Sequence, residues 1–204
     1  MTKWDRHYAE AAARDTRLFG DRPCEVVREV LARSDFQART ALSLGDGDGR
    51  NGAWLATQGL AVTAIDISAV ATEQALAHDR AMGVSVTRTA ADLETWSPRA
   101  GEAWDAVFML YLHCESHVRL GALARAAGAL APGGWVVVEG FARSGLGQPG
   151  LGPDMAELRY DLSELLSALS GFRAIEALEG RVALDEGPRH QGAASIVRLL
   201  ARKE

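Results

Sequence analysis

Three glycines alternate with two aspartates in Gly45-Asp46-Gly47-Asp48-Gly49, directly after the apolar run Leu42-Ser43-Leu44, and Asp66 closes a second apolar run that starts at Ala61. Glycines after a strand let backbone come close to a bound molecule. Carboxylates in such a loop repel the phosphates that a helix N-terminus attracts, and they tolerate a cation. Gly47, Gly49 and Gly52 also satisfy G-x-G-x-x-G, with Asp66 where an acid would meet a ribose, so a dinucleotide is the rival ligand. Further along, His113 and His190 offer imidazoles that titrate near neutrality, and Arg189 offers a fixed cation for an anionic group; Arg181 is a second such cation. Cys24 and Cys114 have no metal-ligand companions at short spacing, so no metal site or disulfide is expected and both read as buried apolar side chains.

These residues need strand ends to carry them. Residues 40–45, 61–67, 84–87, 105–110 and 135–139 read as five strands, the second nearly continuous in apolar residues as in a parallel strand buried on both faces. Helices alternate with them. One carries Val26, Val27, Val30 and Leu31 with Pro23 in its first turn, one carries Ala53, Trp54 and Leu55, and one starts at the N-cap Ser68. Another has Leu120, Leu123, Ala127 and Leu130 at helical spacing and is stopped by Pro132-Gly133-Gly134; Arg119 and Arg125 on it read as water-facing, while Trp54 and Trp135 read as core. A last helical face, Leu162, Leu165, Leu166 and Leu169, precedes the strand-like runs 181–184 and 195–200, whose short connection forces them antiparallel. The order predicts an α/β fold: a doubly wound, mostly parallel seven-stranded sheet with an antiparallel C-terminal strand pair. Residues 1–204 are expected to form a single domain, with 1–35 as an N-terminal helical cap and 36–204 as a Rossmann-like core. The glycine- and proline-dense stretch 145–153 is placed to act as a lid.

With 48% hydrophobic and 24% charged residues the chain has the balance of a globular protein. Its net charge of -5, with no Lys/Arg block, argues against nucleic acid and for a small-molecule partner. The N-terminal residues lack a signal-peptide core and no apolar run is long enough for a bilayer, so the expectation is a cytoplasmic monomer or homodimer with no membrane contact.

A cofactor with a sulfonium, an ammonium and a single carboxylate suits an acidic glycine loop better than a pyrophosphate does. Gly45-x-Gly47-x-Gly49 at the end of a strand, followed by Asp66 and by Pro132-Gly133-Gly134 before strand five, resembles the class I S-adenosylmethionine-dependent methyltransferases along nearly the whole chain. Trp4-Asp5-x-x-Tyr8, Leu18-Phe19-Gly20, Gly49-Arg50-Asn51 and Glu186-Gly187-Pro188-Arg189-His190-x-Gly192 are similar to the small tellurite-resistance and thiopurine-type members. That resemblance implies S-adenosylmethionine as cofactor and S-adenosylhomocysteine as product. It implies that Gly45, Asp46, Gly47, Gly49 and Asn51 form the cofactor loop, that Asp66 holds the ribose, and that Ile67 lies near the adenine. Asp92, flanked by Ala91 and Leu93, would meet the adenine amino group; Met109, Leu110, Tyr111 and His113 would line the cavity. Tyr8, Phe19 and Arg50 would close the cofactor site, and Arg189 and His190 would face the methyl-accepting atom. The family's acid two residues before the first glycine is Ser43 here, a contact that Asp46 or Asp48 would have to replace.

The implied activity is methyl transfer to a small acceptor: a chalcogen oxyanion, a thiol or another nucleophile. Oxyanions and thiolates mainly need cationic positioning, whereas a hydroxyl or amine needs a general base. An NAD-binding oxidoreductase and a non-catalytic S-adenosylmethionine-binding module are the alternatives.

Overall fold

The computed structural model describes residues 1–204. Along the chain run α1 (Lys3–Ala12), α2 (Glu25–Leu31), β1 (Thr40–Leu44), α3 (Arg50–Thr57), β2 (Ala61–Asp66), α4 (Ala69–Met82), β3 (Thr87–Ala90), β4 (Trp104–Leu110), α5 (Ser116–Gly128), β5 (Leu130–Phe141), α6 (Leu162–Ala168), β6 (Phe172–Asp185) and β7 (Gln191–Lys203). The seven strands form one sheet in the order β3-β2-β1-β4-β5-β7-β6. β1 pairs in parallel with β2 on one side and β4 on the other, so the strand order reverses at β1 and opens a crevice beyond its C-terminal end. β7 runs antiparallel to both β5 and β6.

The central strands bury both faces, and their period of two sorts side chains between two cores. Ala106, Phe108 and Leu110 of β4 pack with Val26, Val27 and Val30 of α2, whereas Val107 and Met109 pack with Leu123 and Ala126 of α5. Within the expected cap, then, α2 belongs to the main core, and only α1 lies apart, with Tyr8 and Ala11 against Ala71 of α4.

Several expectations shift. The third strand lies at Thr87–Ala90 instead of 84–87, because α4 ends in a left-handed Gly83 and the strand must pair with Thr63 to Asp66 at the far end of β2. α5 ends at Gly128, and Leu130 already belongs to β5; Pro132-Gly133-Gly134 forms an irregular strand entry, with Gly133 at φ 74°, in place of a helix stop. Pro23 precedes the N-cap Cys24 and is outside the first turn of α2. The last two strands are much longer than their apolar runs, because β6 is an edge strand with polar residues on its open side.

Arg119 is buried, stacked on Tyr160 at 4.3 Å, and donates to the carbonyls of Cys114 and Arg159. Arg125 is half-buried and donates to the carbonyls of Leu93 and Trp96. Both read as water-facing because charge alone does not show which carbonyls a loop leaves unpaired. Trp135 is core as expected, whereas Trp54 and Cys114 are only half-buried.

Candidate active site

At the crevice, the Gly45–Gly49 loop turns under the C-terminal ends of β1 and β2. Gly45, Gly47 and Gly49 have φ of 70°, 58° and 91°, a region L side chains rarely adopt. A Cβ on Gly47 would lie 2.2 Å from the Tyr8 hydroxyl, so α1 closes down on the loop only because position 47 is glycine. Asp66 ties the loop to β2: its Oδ2 accepts from Gly47 N at 2.8 Å and its Oδ1 from Ser68 N at 2.8 Å. Burial pushes its carboxyl up to about 6, against these two N–H donors and with Asp46 and Asp48 adding to the rise.

The loop carboxylates are answered from within the protein. Asp46 accepts from Ser43 Oγ at 2.7 Å, from Gly52 N at 3.0 Å and from Arg88 Nη1 at 2.7 Å. Arg88 also clamps Asp79 through Nε and Nη2, at 2.7 and 2.8 Å, and this ion triad is almost fully buried. Ser43 thus orients Asp46 instead of leaving a gap for it to fill. Asp48 pairs with Arg17 at 3.2 Å through Oδ1, while its Oδ2 is buried with no partner; burial raises its pKa. The loop is therefore far less negative toward a ligand than its composition suggests. Repulsion of phosphate from this loop is a weak discriminator.

Aromatic rings fill the opposite end. His190, 1% exposed, lies 4.1 Å between ring centres from Tyr111, 5.4 Å from Phe19 and 5.5 Å from Phe141. His113 stacks on Phe141 at 5.5 Å with planes 7° apart and faces Trp4 at 6.4 Å; burial holds its pKa down at about 4. Tyr111 has a strained φ of 51°, held by its N–H to the Glu139 carbonyl at 2.7 Å and its hydroxyl to Glu139 Oε1 at 3.0 Å. Glu139 also pairs with Arg198, yet burial pushes it up to about 7.

Behind this wall, Arg50 knits distant segments together. Its Nη1 donates to the carbonyls of Phe19, Arg22 and Glu186, and its Nη2 lies 3.1 Å from both Cys24 Sγ and His190 Nδ1. Cys24, Glu186 and His190 bring one donor atom each within 4.8 Å of one another, and this guanidinium is the cation they share. Glu186 is buried, accepts from Glu25 N at 2.8 Å and places Oε2 3.2 Å from His190 Nδ1. Burial works against its charge, but His190, the Glu25 N–H and Arg50 prevail and hold its pKa below the usual carboxylate range.

Both ends open into one cavity of about 680 Å³. Of the residues singled out in the sequence it brings together Gly45, Asp46, Gly47, Asn51, Asp66, Ile67, Asp92, Leu93, Leu110, Tyr8, Phe19, Arg50, Tyr111, His113, Arg189 and His190. Ile67 is exposed to the cavity, as a planar group would require, and Asp92 accepts from Glu94 N in a turn at its rim. Asn51 is tied down by Cys24 N, which donates to its Oδ1 at 2.8 Å. Gly49, Ala91 and Met109 do not line the cavity. Gly49 is backed by Arg88 and Ala75, and Met109 packs against the other core because alternate residues of β4 face opposite ways. Ala91 packs behind Leu93 on that same core. Arg181 lies elsewhere, bonded to the Pro149 carbonyl. Of the expected lid, Gly152 and Pro153 reach the cavity. Arg88, Arg17, Glu139 and Phe141 were not anticipated as site residues; a lone arginine in a short polar strand carries no local signal, whereas Glu139 ending an apolar strand at the binding edge does.

Residues 41–134 match the family model described as a methyltransferase domain. No curated protein sequence matches the chain. Among solved structures, N-methyltransferase NodS from Bradyrhizobium japonicum WM9, in complex with S-adenosyl-L-homocysteine, superposes with TM-score 0.72 at 15% identity over 99% of each chain. Magnesium protoporphyrin IX methyltransferase from Synechocystis PCC 6803 with bound S-adenosylmethionine matches at 0.63 and 16%, over all of this chain and 86% of that one. TehB from Haemophilus influenzae matches at 0.69 and 18%, over 88% of this chain; the match spans 62% of TehB. Residues 41–134, somewhat under half of the chain, therefore match a methyltransferase domain, and the fold is the one these methyltransferase structures share. No helix is long and apolar enough to cross a membrane.

Proposed function

We propose that the protein transfers a methyl group from S-adenosylmethionine to a small-molecule acceptor. The observation that carries this reading is one cavity with two unlike ends, a glycine cradle beside Asp66 and an aromatic chamber around His190, at the switch point of a sheet whose residues 41–134 match a methyltransferase domain. Its volume is in the range of sites for small ligands of this size. When bound, the cofactor supplies an electrophilic methyl on a sulfonium. Asp66 has lone pairs left beyond its two backbone donors to accept from the ribose hydroxyls, and Ile67 and Leu93 offer apolar faces to the adenine with Asp92 at its edge. Gly45 and Gly47 let backbone approach the amino acid portion, and the free Oδ2 of Asp48 is an acceptor for its ammonium. Tyr8, Phe19 and Arg50 close the site from the N-terminal side, with α1 and the segment to Phe19 serving as its cap and the 145–153 segment as its lid. The aromatic chamber excludes water, so alignment of the acceptor supplies much of the rate.

The enzyme so read is a cytoplasmic monomer or homodimer that acts as a single domain without nucleic acid. Calorimetry with S-adenosylmethionine, S-adenosylhomocysteine and NAD tests it: the first two should bind, and Asp66→Ala should bind them more weakly. Binding of NAD alone overturns it in favour of an oxidoreductase.

A further inference from the structure

The sequence leaves two chemistries open for the acceptor: an anion positioned by cations, or a neutral group that needs a base. The aromatic end of the cavity separates them. Its wall cations are Arg50, Lys3 and Arg189. The terminal nitrogens of Arg50 donate to three carbonyls and to Cys24 and lie against His190, and Lys3 and Arg189 are exposed at the rim. Repulsion from the loop carboxylates is too weak to decide, since Asp46 and Asp48 are answered by arginines; what an incoming oxyanion lacks at this end is a buried cation placed to hold it. A base, by contrast, is already placed. An ionised carboxylate only accepts, so Glu186 Oε2 at 3.2 Å from His190 Nδ1 selects the tautomer with hydrogen on Nδ1. Arg50 Nη2 carries two hydrogens and lies 3.1 Å from both Cys24 Sγ and Nδ1, so one goes to the thiol and the other competes with Glu186 at this ring nitrogen, where we take the carboxylate to prevail. The other ring nitrogen, Nε2, is then a lone pair. It is buried, belongs to a cavity-lining residue and has no partner in the protein.

We propose that Glu186 is a positioning residue that holds His190 as the Nδ1–H tautomer, and that His190 Nε2 takes the proton of an uncharged protic acceptor carried on a flat, apolar body between the rings of Phe19, Tyr111 and Phe141. This inference rests on the methyltransferase reading and narrows its acceptor. In the step, the acceptor's O–H, N–H or S–H proton passes to Nε2, and the freed electron pair forms the bond to the methyl carbon. The carbon–sulfur bond of the sulfonium breaks with its pair left on sulfur, giving S-adenosylhomocysteine, and His190 later returns its proton to water. The groups facing the imidazole are Glu186 from the β6–β7 turn, Arg50 from α3, Cys24 ahead of α2, and Tyr111 after β4, with Glu139 of β5 behind Tyr111 and His113 beyond Phe141. Burial, with the Arg50 charge beside it, holds the His190 imidazole below its ordinary value, and the Glu186 carboxylate works against both, so removing that anion lowers it further.

The test begins with nitrogen NMR of the histidines in protein saturated with S-adenosylmethionine, comparing wild type with Glu186→Gln. The expected result is an Nδ1–H, unprotonated Nε2 signature for His190, with its protonation midpoint moved to lower pH in the variant because the anion is gone. An Nε2–H tautomer in the wild type, or an unmoved midpoint, overturns the proposal. A labelled-methyl assay then sets phenols and benzyl mercaptan against selenite and tellurite. Turnover of the protic probes, with the acid limb of the kcat/KM profile displaced in Glu186→Gln, supports the proposal; turnover of the oxyanions alone overturns it. Absence of S-adenosylmethionine binding by calorimetry would instead sink the underlying methyltransferase reading, so the two failures are distinguishable.

Discussion

At the glycine end of the cavity, Asp46 is met by Ser43, Gly52 and Arg88, and Asp66 by Gly47 and Ser68. Most of these partners are a few residues away or on the neighbouring strand. At the aromatic end, His190 is held by Glu186 from its own turn and by Arg50 from α3, with rings from the N-terminal segment, from the residue after β4 and from β5 around it. The glycine end is preassembled by local geometry and answers most of its charge internally, leaving one carboxylate oxygen, Asp48 Oδ2, free. The aromatic end exists only once the two chain termini have come together around Arg50, and it keeps one buried nitrogen free. Holding a cofactor needs the first kind of construction; moving a proton needs the second.

The largest expected effect tests whether the aromatic end is chemistry and not packing. His190→Ala should lower kcat by about 10²- to 10⁴-fold, as loss of a general base does, while calorimetry shows S-adenosylmethionine affinity within a factor of about two. Loss of cofactor binding in parallel would mean that the two ends are not separable.

The glycine end should break through stability instead. Arg88→Met leaves Asp46 and Asp79 buried without their cation, which should cost about 3–5 kcal/mol in urea unfolding. A loss near zero would show that the loop carboxylates are not internally neutralised after all.

This triad also marks the limit of what the sequence discloses. β1, β2 and β4 are legible because their apolar runs match strands buried on both faces, and Asp66 because a strand end is where such sheets bind ligands. Arg88 is not, since Thr-Arg-Thr-Ala has no apolar pattern and its partners lie at positions 46 and 79, reached only through the β2–β3 pairing. Loop charge is a weaker guide to the cofactor than it looks for the same reason: composition counts carboxylates but not the arginines that fold back onto them. Glu186 sits in a motif visible as Glu-Gly-Pro-Arg-His, yet its role depends on contacts to Glu25 and Arg50 that no local spacing encodes.

A smaller effect separates the two ends by pH. Asp66 titrates at about 6 in the folded protein, above the roughly 3.9 of a free aspartate. The folded state therefore binds this proton more tightly than the unfolded one, so the contribution of Asp66 to ligand-free stability is fully present below about 3.9 and is lost as pH rises through about 6. With Asp66 as the proposed ribose acceptor, cofactor binding should run the other way, because its ionised form accepts more strongly from the hydroxyls. Affinity measured by calorimetry should be flat above pH 6 and fall by up to about tenfold per pH unit below it. Asp66→Asn should bind more weakly and lose that slope. A wild-type slope that survives the substitution would move the titrating group to another carboxylate of the cavity.

The smallest effect bears on what the aromatic end receives. Arg189 is exposed at the cavity rim, and Arg181 is bonded to the Pro149 carbonyl away from it. An exposed cation contributes about 0.2–1 kcal/mol to an ionic contact and is screened by salt. For an uncharged acceptor, Arg189→Ala should therefore change KM by less than about fivefold with no dependence on ionic strength, and Arg181→Ala should change nothing. A loss in kcat/KM of a hundredfold or more in Arg189→Ala, relieved as salt is raised in the wild type, would mean that the rim arginine swings inward to hold an anion. That outcome would turn the chamber around His190 from a proton-accepting site into an oxyanion site.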